Sequence, residues 1–466
     1  MTKNPLSHQE SCLLKAGFTL ALLTASLSSH AIDFGPNGEF SLTGFGEVTT
    51  TLQSNYCLNC QVGTPNTANR QVQSSDPIIP GRSYGDATLT NWQVQPYLGY
   101  KHDLGGGYQF DALLSQRWRQ GTVNGQTDAA EVRYGGTVDI PGYWYQKNIA
   151  LSHEDYGSIR IGAMTTRSWD VSDYPYASKL GLSDEWASTG AGYGMLANAI
   201  RVGSPLLDVA GGDLHLEVTY DEGNTNFQRL RPIFFEVYGQ YHRGDLVVDA
   251  MLQDAKNGGS GSWGHAPFSS VSISQTDDYT PVAVGAAGTA ALLPGNQQDI
   301  ALLMARYEAT SQLEVVGGVR YNAWGGQSFA YSTAYGQSYA FNVNYNDLNY
   351  PGFSATSIDV LLGARYRMSQ WGLNNLILYA GMVNLGRAST NNPEERGQSN
   401  SALINTFGAN YELGHGLMLE GTLGLVHYGQ LGLAPLSMPG NAAGTNVDSR
   451  ITQDGHWLTL GMVYSF

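Results

Sequence analysis

The sequence is short of several things that most soluble enzymes have. Only 14% of its residues are charged, and 24 lysines and arginines face 39 aspartates and glutamates, giving a formal net charge of −15. A chain this acidic lacks the basic surface that nucleic-acid binding requires. Beyond the N-terminal segment 1–31 it also lacks any apolar run of about 18 residues. We therefore expect no nucleic-acid partner and no transmembrane helix.

Cysteine is nearly absent, with three residues in the chain. Cys12 lies near the N-terminus, whereas Cys57 and Cys60 stand together in YCLNC. A CxxC pair occurs in redox motifs, in zinc sites and in local disulfides. No second CxxC or paired-histidine motif completes a zinc shell, and no thioredoxin-like βαβ pattern surrounds the pair. The interpretation we favour is a disulfide in an oxidising compartment, and we predict neither a metal nor a cofactor.

Segment 1–31 has the features of a cleaved secretory signal. Lys3 and Lys15 flank the apolar run AGFTLALLTASLSS, which ends at Ser29-His30-Ala31 with small residues at the first and third of these positions. The run is shorter than the roughly 20 residues of a spanning helix. We predict cleavage before Ile32, leaving a mature chain, 32–466, that forms one domain outside the cytoplasm.

The chain is rich in glycine and tyrosine, with 58 and 28 residues, and most of it alternates between apolar and polar residues. In DLHLEVTY, for example, Leu214, Leu216 and Val218 alternate with His215 and Glu217. A period of two residues predicts β-strands. The sixteen predicted strands are 39–52, 91–102, 107–119, 146–154, 157–165, 195–204, 213–222, 232–242, 245–255, 298–309, 312–324, 355–368, 373–385, 401–413, 416–429 and 456–466.

The lengths of the connections alternate as well. Connections after even-numbered strands are short, such as RG and GH, whereas most of those after odd-numbered strands are long. This parity predicts an all-β, antiparallel, up-and-down transmembrane β-barrel with short periplasmic turns and long extracellular loops. Backbone groups in hydrocarbon must be paired internally, so the first strand has to pair with the last. The long connections are 53–90, 120–145, 166–194, 256–297, 325–354 and 430–455.

Three stretches resemble the general porins of Gram-negative outer membranes. EDYGSIRIGAMTTRSWDVSDYP, 154–175, is similar to the strand that leads into the third loop of that family, and LANAIRVGSPLLDVAGGDLHLEVTY, 196–220, to the next hairpin. LGMVYSF is similar to the family's terminal strand, which ends in Phe. The resemblance implies a water-filled, sixteen-stranded channel that assembles as a homotrimer in outer-membrane lipid and lipopolysaccharide. It also implies that Phe466 is a signal for the barrel-assembly machinery.

The resemblance also implies that the third loop, 166–194, folds into the lumen with acidic residues facing a basic wall. The PEFGG-type motif of the enterobacterial members is absent here. The acidic residues of this loop are Asp170, Asp173, Asp184 and Glu185.

The wall can be predicted from the alternation itself. If apolar residues face lipid, a basic arc points into the lumen, formed by Lys101, Arg117, Arg119 and Arg160. Charges of this kind set ion preference in channels. Our hypothesis is that Arg117, Arg119 and Arg160 oppose Asp170 and Asp173. Other charges predicted to face the lumen are Arg320, Asp359, Arg365 and Arg367, together with the acidic residues Glu39, Glu47, Asp111, Glu217, Glu236, Asp249 and Glu420.

Three functions follow from these observations. The favoured one is passive diffusion of small hydrophilic solutes and ions, with a slight preference for cations. The second is a channel selective for sugars or anionic metabolites, in which aromatic residues near strand ends would bind sugars instead of forming interfacial girdles. The third is an outer-membrane enzyme, but no GxSxG, HExxH or GxGxxG motif occurs, and we predict no catalytic residue.

Overall fold

A computed structural model shows a closed antiparallel β-barrel of sixteen main strands. It describes residues 31–54, 86–123, 126–127, 146–187, 190–191, 195–221, 233–256, 296–326, 354–387, 389–390, 401–429 and 454–466. The main strands are β1 Phe40–Ser54, β2 Asp86–Gly105, β3 Tyr108–Ser115 with its continuation Trp118–Val123, β4 Gln146–His153, β5 Gly157–Thr165, β6 Met195–Gly203, β7 Gly212–Asp221, β8 Ile233–Arg243, β9 Leu246–Lys256, β10 Asn296–Glu308, β11 Leu313–Gly326, β12 Ser354–Arg367, β13 Leu376–Leu385, β14 Ala402–Gly414, β15 Leu417–Tyr428 and β16 Asp454–Ser465.

Each strand pairs with its neighbours in the sequence, and the two ends of the sheet meet. The closing ladder joins β1 to β16, with Phe45 opposite Ser465 at one end and Ser54 opposite His456 at the other. Short pieces at Ile32–Phe34, Gln126–Thr127, Leu207–Val209 and Ser389–Thr390 extend the sheet at its rims. The predicted fold class, the strand number and the pairing of first with last are thereby confirmed.

One predicted strand, 107–119, is interrupted. Its first part pairs with β2 as far as Ser115 opposite Tyr97, and pairing resumes at Trp118 opposite Val94. Pro96, which has no N–H to donate, lies on β2 opposite the gap. A proline removes a ladder hydrogen bond, and this accounts for the break. Arg117 therefore projects from the barrel wall at an interruption in its strand.

The two faces of the strands differ sharply in chemistry. On β16, Leu458, Leu460 and Met462 point outward and are exposed, whereas Trp457 and Ser465 point inward and are buried. The same alternation runs through β9, where Asp249, Met251 and Gln253 are the inward residues. The barrel thus carries apolar side chains outside and mostly polar ones inside.

The connections form two distinct rims. After even-numbered strands the chain turns within a few residues, as between Gly105 and Tyr108 or between Arg243 and Leu246. We call this end the short-turn rim and the opposite end the long-loop rim. Most of the long connections, including Cys57 and Cys60, lie outside the described residues, as do residues 1–30 of the predicted signal. None of the helices among the described residues has the length and apolar character that crossing a membrane requires.

The C-terminal residue completes the barrel at the short-turn rim. The Phe466 N–H donates to the Gly44 carbonyl at 2.9 Å, and the Gly44 N–H donates to the Phe466 carbonyl at 2.8 Å. A Cβ at Gly44 would meet the Phe466 ring at 2.9 Å, so glycine lets the ring lie against β1. The ring also stacks on Tyr464, with centroids 6.0 Å apart. Phe466 therefore contributes both backbone pairing and packing to closure.

We predict that deleting Phe466 lowers the yield of folded barrel. The deletion removes two backbone hydrogen bonds, each contributing about 1 kcal/mol, and the ring contacts. The yield is measured in outer membranes and in detergent refolding by migration of unheated samples in gels. Phe466→Tyr, which keeps the backbone and the ring, should fold like the natural chain. Wild-type yields from the deletion in both settings would contradict the prediction.

Candidate functional site

After the long-loop end of β5 the chain enters the barrel, where the described residues 166–187 and 190–191 lie. We call this segment loop 3. It contains helix α1 Arg167–Val171, a π-helical turn Ser172–Ala177, a 3-10 turn Ser178–Leu180 and helix α2 Ser183–Trp186. Thr166 caps α1, because its side-chain oxygen accepts from the Trp169 N–H at 3.3 Å. Short irregular helices allow this segment to follow the curved inner wall.

The start of loop 3 is fixed by buried ion pairs on β7 and β8. Arg167 donates to both oxygens of Glu217, at 2.5 and 2.8 Å. Glu236 accepts from the backbone N–H groups of Arg167 and Ser168 at 2.9 and 3.0 Å. Arg201 lies 3.7 Å from Glu217 and 3.9 Å from Glu236. Burial alone would lower the pKa of Arg167, but the adjacent Glu217 carboxylate raises it, so Arg167 stays charged.

The middle of loop 3 packs on the far wall through apolar side chains. Leu180, Leu182 and Trp186 are completely buried, in one cluster with wall residues such as Leu361 and Ile404. Burying side chains of this size contributes roughly 2 kcal/mol each. The Thr406 hydroxyl adds a hydrogen bond to the Leu180 carbonyl at 2.7 Å. These contacts hold the loop against β11 to β15.

Two wall glycines make this close approach possible. A Cβ at Gly363 would lie 2.3 Å from a Leu180 methyl group, and one at Gly381 would lie 2.6 Å from a Leu182 methyl group. Any larger residue at these inward positions would displace the loop. Loop 3 therefore packs on the surface of β12 and β13 where these glycines leave room for Leu180 and Leu182.

The end of loop 3 is held by a second buried ion pair. Arg320 on β11 donates to Asp359 on β12 at 2.8 Å and to the Trp186 carbonyl at 2.6 Å. Its guanidinium also lies 4.5 Å from the centre of the Trp186 ring. The Asn322 side chain accepts from the Ala191 N–H at 2.9 Å. The loop is thus bound at both ends and along its length to β7 through β15.

The opposite edge of loop 3 faces the basic wall. The guanidinium of Arg117 lies 5.7 Å from the centre of the Trp169 ring and donates to Gln95 at 2.6 Å. Arg117 is also close enough to Asp173 to interact electrostatically. Burial raises the pKa of Asp173, with Ser183 and Arg117 opposing that shift, and burial likewise raises the pKa of Asp170. The Asp173 carboxylate and the wall residue Arg117 thus lie close to each other, whereas Asp170 accepts from the Thr165 hydroxyl of β5 at 2.6 Å.

The predicted site residues are distributed as follows. Arg160 on β5 donates to Asn148 at 2.6 Å, and Lys101 on β2 is paired in register with Asp111 on β3. Glu185 is buried inside loop 3. The side chains of Arg119 and Asp184 lie outside the described residues.

Four of the other predicted lumenal charges, Arg320, Asp359, Arg365 and Arg367, occur in ion pairs. Arg320 pairs with Asp359, as described above. Arg365 donates to Glu314 at 3.3 Å, and Arg367 donates to both oxygens of Glu412 at 2.8 and 3.0 Å.

Several inward acidic residues anchor loop 3, a role that the sequence did not suggest. Glu217 and Glu236 hold the start of the loop, and Asp249 accepts from the hydroxyls of Tyr176 and Tyr238 at 2.6 Å each.

Arg201, Arg306 and Trp169 were not among the predicted site residues. Arg306 was not predicted to face the lumen because apolar and polar residues alternate poorly in segment 298–309. No group of three or more metal-ligating side chains occurs within the described residues.

Comparison with known proteins gives matches among solved structures only. No family model and no curated protein matches the chain. An anion-selective porin from Comamonas acidovorans is 11% identical, with 92% of this chain and 100% of that chain covered and a TM-score of 0.47. OmpF of Salmonella typhi in complex with daunomycin is 12% identical, covering 94% and 100%, with a TM-score of 0.49. OmpT, an outer membrane protein of Vibrio cholerae, is 10% identical, covering 94% and 100%, with a TM-score of 0.47.

We predict that Glu217→Ala loosens loop 3. The change removes the carboxylate that pairs with the buried Arg167 and lies 3.7 Å from Arg201, and breaking a buried pair costs about 3–5 kcal/mol. Unfolding in guanidinium, followed by tryptophan emission, should shift to lower denaturant because Trp169 and Trp186 lie on the loop. Glu412→Ala is the matched control, since its pair with Arg367 is partly exposed and such pairs contribute about 1 kcal/mol or less. Equal effects of the two variants would show that Glu217 does not anchor the loop.

Proposed function

We propose that this chain forms a water-filled channel in the outer membrane for passive diffusion of small hydrophilic solutes and ions. The observation that carries the proposal is the chemistry of the two barrel faces. Large apolar side chains are exposed outside around the closed sheet, among them Leu252, Ile358, Phe407 and Leu460. Soluble proteins rarely expose apolar patches above a few hundred Å², whereas a lipid-embedded barrel requires such a surface.

The size of the barrel supports a channel. Sixteen strands leave a lumen too wide for wall side chains alone to fill. Loop 3 occupies the side next to β7 through β15, so the free cross-section lies beside the polar residues of β16 and β1 to β5. Arg117 and Arg160 line that side, and Asp170 and Asp173 lie on the loop. A transverse field between these groups would set the ion preference.

The assembly and location belong to the same proposal. A secretory signal at 1–31 would bring the chain to the periplasm, and Phe466 at the closing strand suits a terminus recognised by the assembly machinery. A homotrimer surrounded by lipopolysaccharide is the state that the resemblance implies. A general pore is favoured over a sugar-selective one because most strand aromatics point outward. Tyr97 and Trp457 are inward exceptions, as are Tyr238 and Tyr379, which are buried, and the Tyr97 hydroxyl accepts from Gln95 at 2.6 Å.

Liposome swelling tests the function. Vesicles containing the purified barrel should swell in isotonic sugar at rates that fall smoothly with solute size, because a water-filled pore excludes by diameter. Heat-denatured protein is the control. Rapid uptake of one sugar over others of equal size would favour the selective channel, and no swelling with any solute would contradict both.

The reversal potential in a salt gradient tests the constriction. Charges about 4 Å from a passing ion change its free energy by about 1 kcal/mol each in water, so Arg117→Ala with Arg160→Ala should shift the potential toward cation preference. Arg243→Ala is the control. Arg243 is the exposed last residue of β8, at the short-turn rim, and its position on the strand directs the side chain away from the lumen. A double variant with the wild-type potential would refute the assignment of these arginines.

A further inference from the structure

Two inward arginines near the short-turn rim make few hydrogen bonds with the described residues. Arg306 on β10 and Arg365 on β12 flank Glu314 on β11, with N–O distances of 3.9 and 3.3 Å. Arg365 makes one hydrogen bond, to Glu314, and Arg306 makes none with the described residues. Each guanidinium carries five N–H donors. The Nε atoms of both are buried and lack a hydrogen-bond partner within the described part of the chain.

Two neighbouring lumenal arginines, Arg320 and Arg367, make more hydrogen bonds. Arg320 donates to both Asp359 and the Trp186 carbonyl. Arg367, two residues beyond Arg365 on the same face, donates to both Glu412 oxygens and to the Asn374 carbonyl at 2.8 Å. Arg306 and Arg365 therefore differ from these neighbours, because they share the single carboxylate of Glu314.

Loop 3 adds a third cation to this pair. The Lys179 ammonium lies 5.3 Å from the centre of the Tyr174 ring and interacts electrostatically with Glu314, Arg365, Arg306 and Glu308. Around the Lys179 ammonium three cations therefore face two carboxylates, and the next carboxylate, Asp249, is already bound by the hydroxyls of Tyr176 and Tyr238. Glu308 ends β10 and Glu314 is the second residue of β11, so the cluster lies between loop 3 and the short-turn rim.

We propose that Arg306, Arg365 and Lys179 form a binding subsite for a small oxyanion such as phosphate. Guanidinium groups match the geometry of phosphate and carboxylate oxygens and bind them through paired hydrogen bonds. The subsite lies on the wall formed by β10 to β12, away from the basic arc on β2, β3 and β5. The inference rests on the proposed channel function, because solutes reach the cluster through the lumen. The subsite would bind phosphate-bearing solutes transiently at the short-turn end of the channel.

Calorimetric titration of the folded protein in detergent with inorganic phosphate tests this inference without requiring ion flow. Wild type should bind phosphate saturably at pH 7. Arg306→Gln with Arg365→Gln should weaken binding by about tenfold or more, as expected for lost charge-assisted hydrogen bonds. Arg367→Gln is the matched control and should change the affinity by less than about twofold. Migration of unheated samples in gels verifies the fold of each variant.

The role of Lys179 gives a second, independent measurement. Burial lowers the pKa of Lys179 to about 8; Glu314 and Glu308 oppose this shift, and Arg365 and Arg306 reinforce it. The ammonium is charged below that pH and neutral above it, so binding should weaken between pH 7 and 9. Sulfate is the probe for this series because its charge is constant over the range. Lys179→Met should bind sulfate weakly and without this pH dependence.

The outcomes separate this inference from the channel itself. Absence of saturable phosphate binding by the wild type, or equal affinity in the double arginine variant, would overturn the subsite even if liposomes swell. Saturable binding that depends on the two arginines would support it even if swelling failed. If the double variant does not fold, Lys179→Met decides, and wild-type affinity in that variant would overturn the subsite.

Discussion

Closure of the hydrogen-bonded sheet is the constraint on which the rest of the structure depends. A strand in hydrocarbon has no water to satisfy its backbone, so every edge must find a partner. In this chain the first and last strands, β1 and β16, pair their backbone groups with each other. The reciprocal hydrogen bonds between Gly44 and Phe466 complete this pairing at the short-turn rim. Closure fixes the inward or outward direction of every side chain, because a shift of one residue would exchange the two faces.

The interior follows from that fixed register. Inward carboxylates on β7 to β9 hold the start of loop 3, and inward apolar residues and glycines on β11 to β15 receive its middle. The loop buries Leu180, Leu182 and Trp186 against these inward apolar residues. Loop 3 is consequently part of the packed structure of the barrel, and its Asp173 lies close to Arg117 on the wall.

The fold was largely predictable from the sequence because period-two alternation and the parity of connection lengths are local properties. The interior was less predictable. Leu361, Val383 and Ile404 point inward although they are apolar, and only contact with loop 3 explains them. Glu217, Glu236 and Asp249 were counted as lumenal charges, yet they bind the loop. Arg306 lies on a strand that alternates weakly. Contacts between residues far apart in sequence decide these features, and alternation carries no information about them.

The central claim is that a closed barrel with loop 3 along one side leaves a continuous aqueous path. Recording of single channels from the purified protein in planar lipid bilayers tests it most directly. The account predicts discrete current steps that are proportional to voltage at low voltage and that rise with salt concentration, as expected of ions moving through water. Stable insertion of folded barrels without such steps would contradict the account.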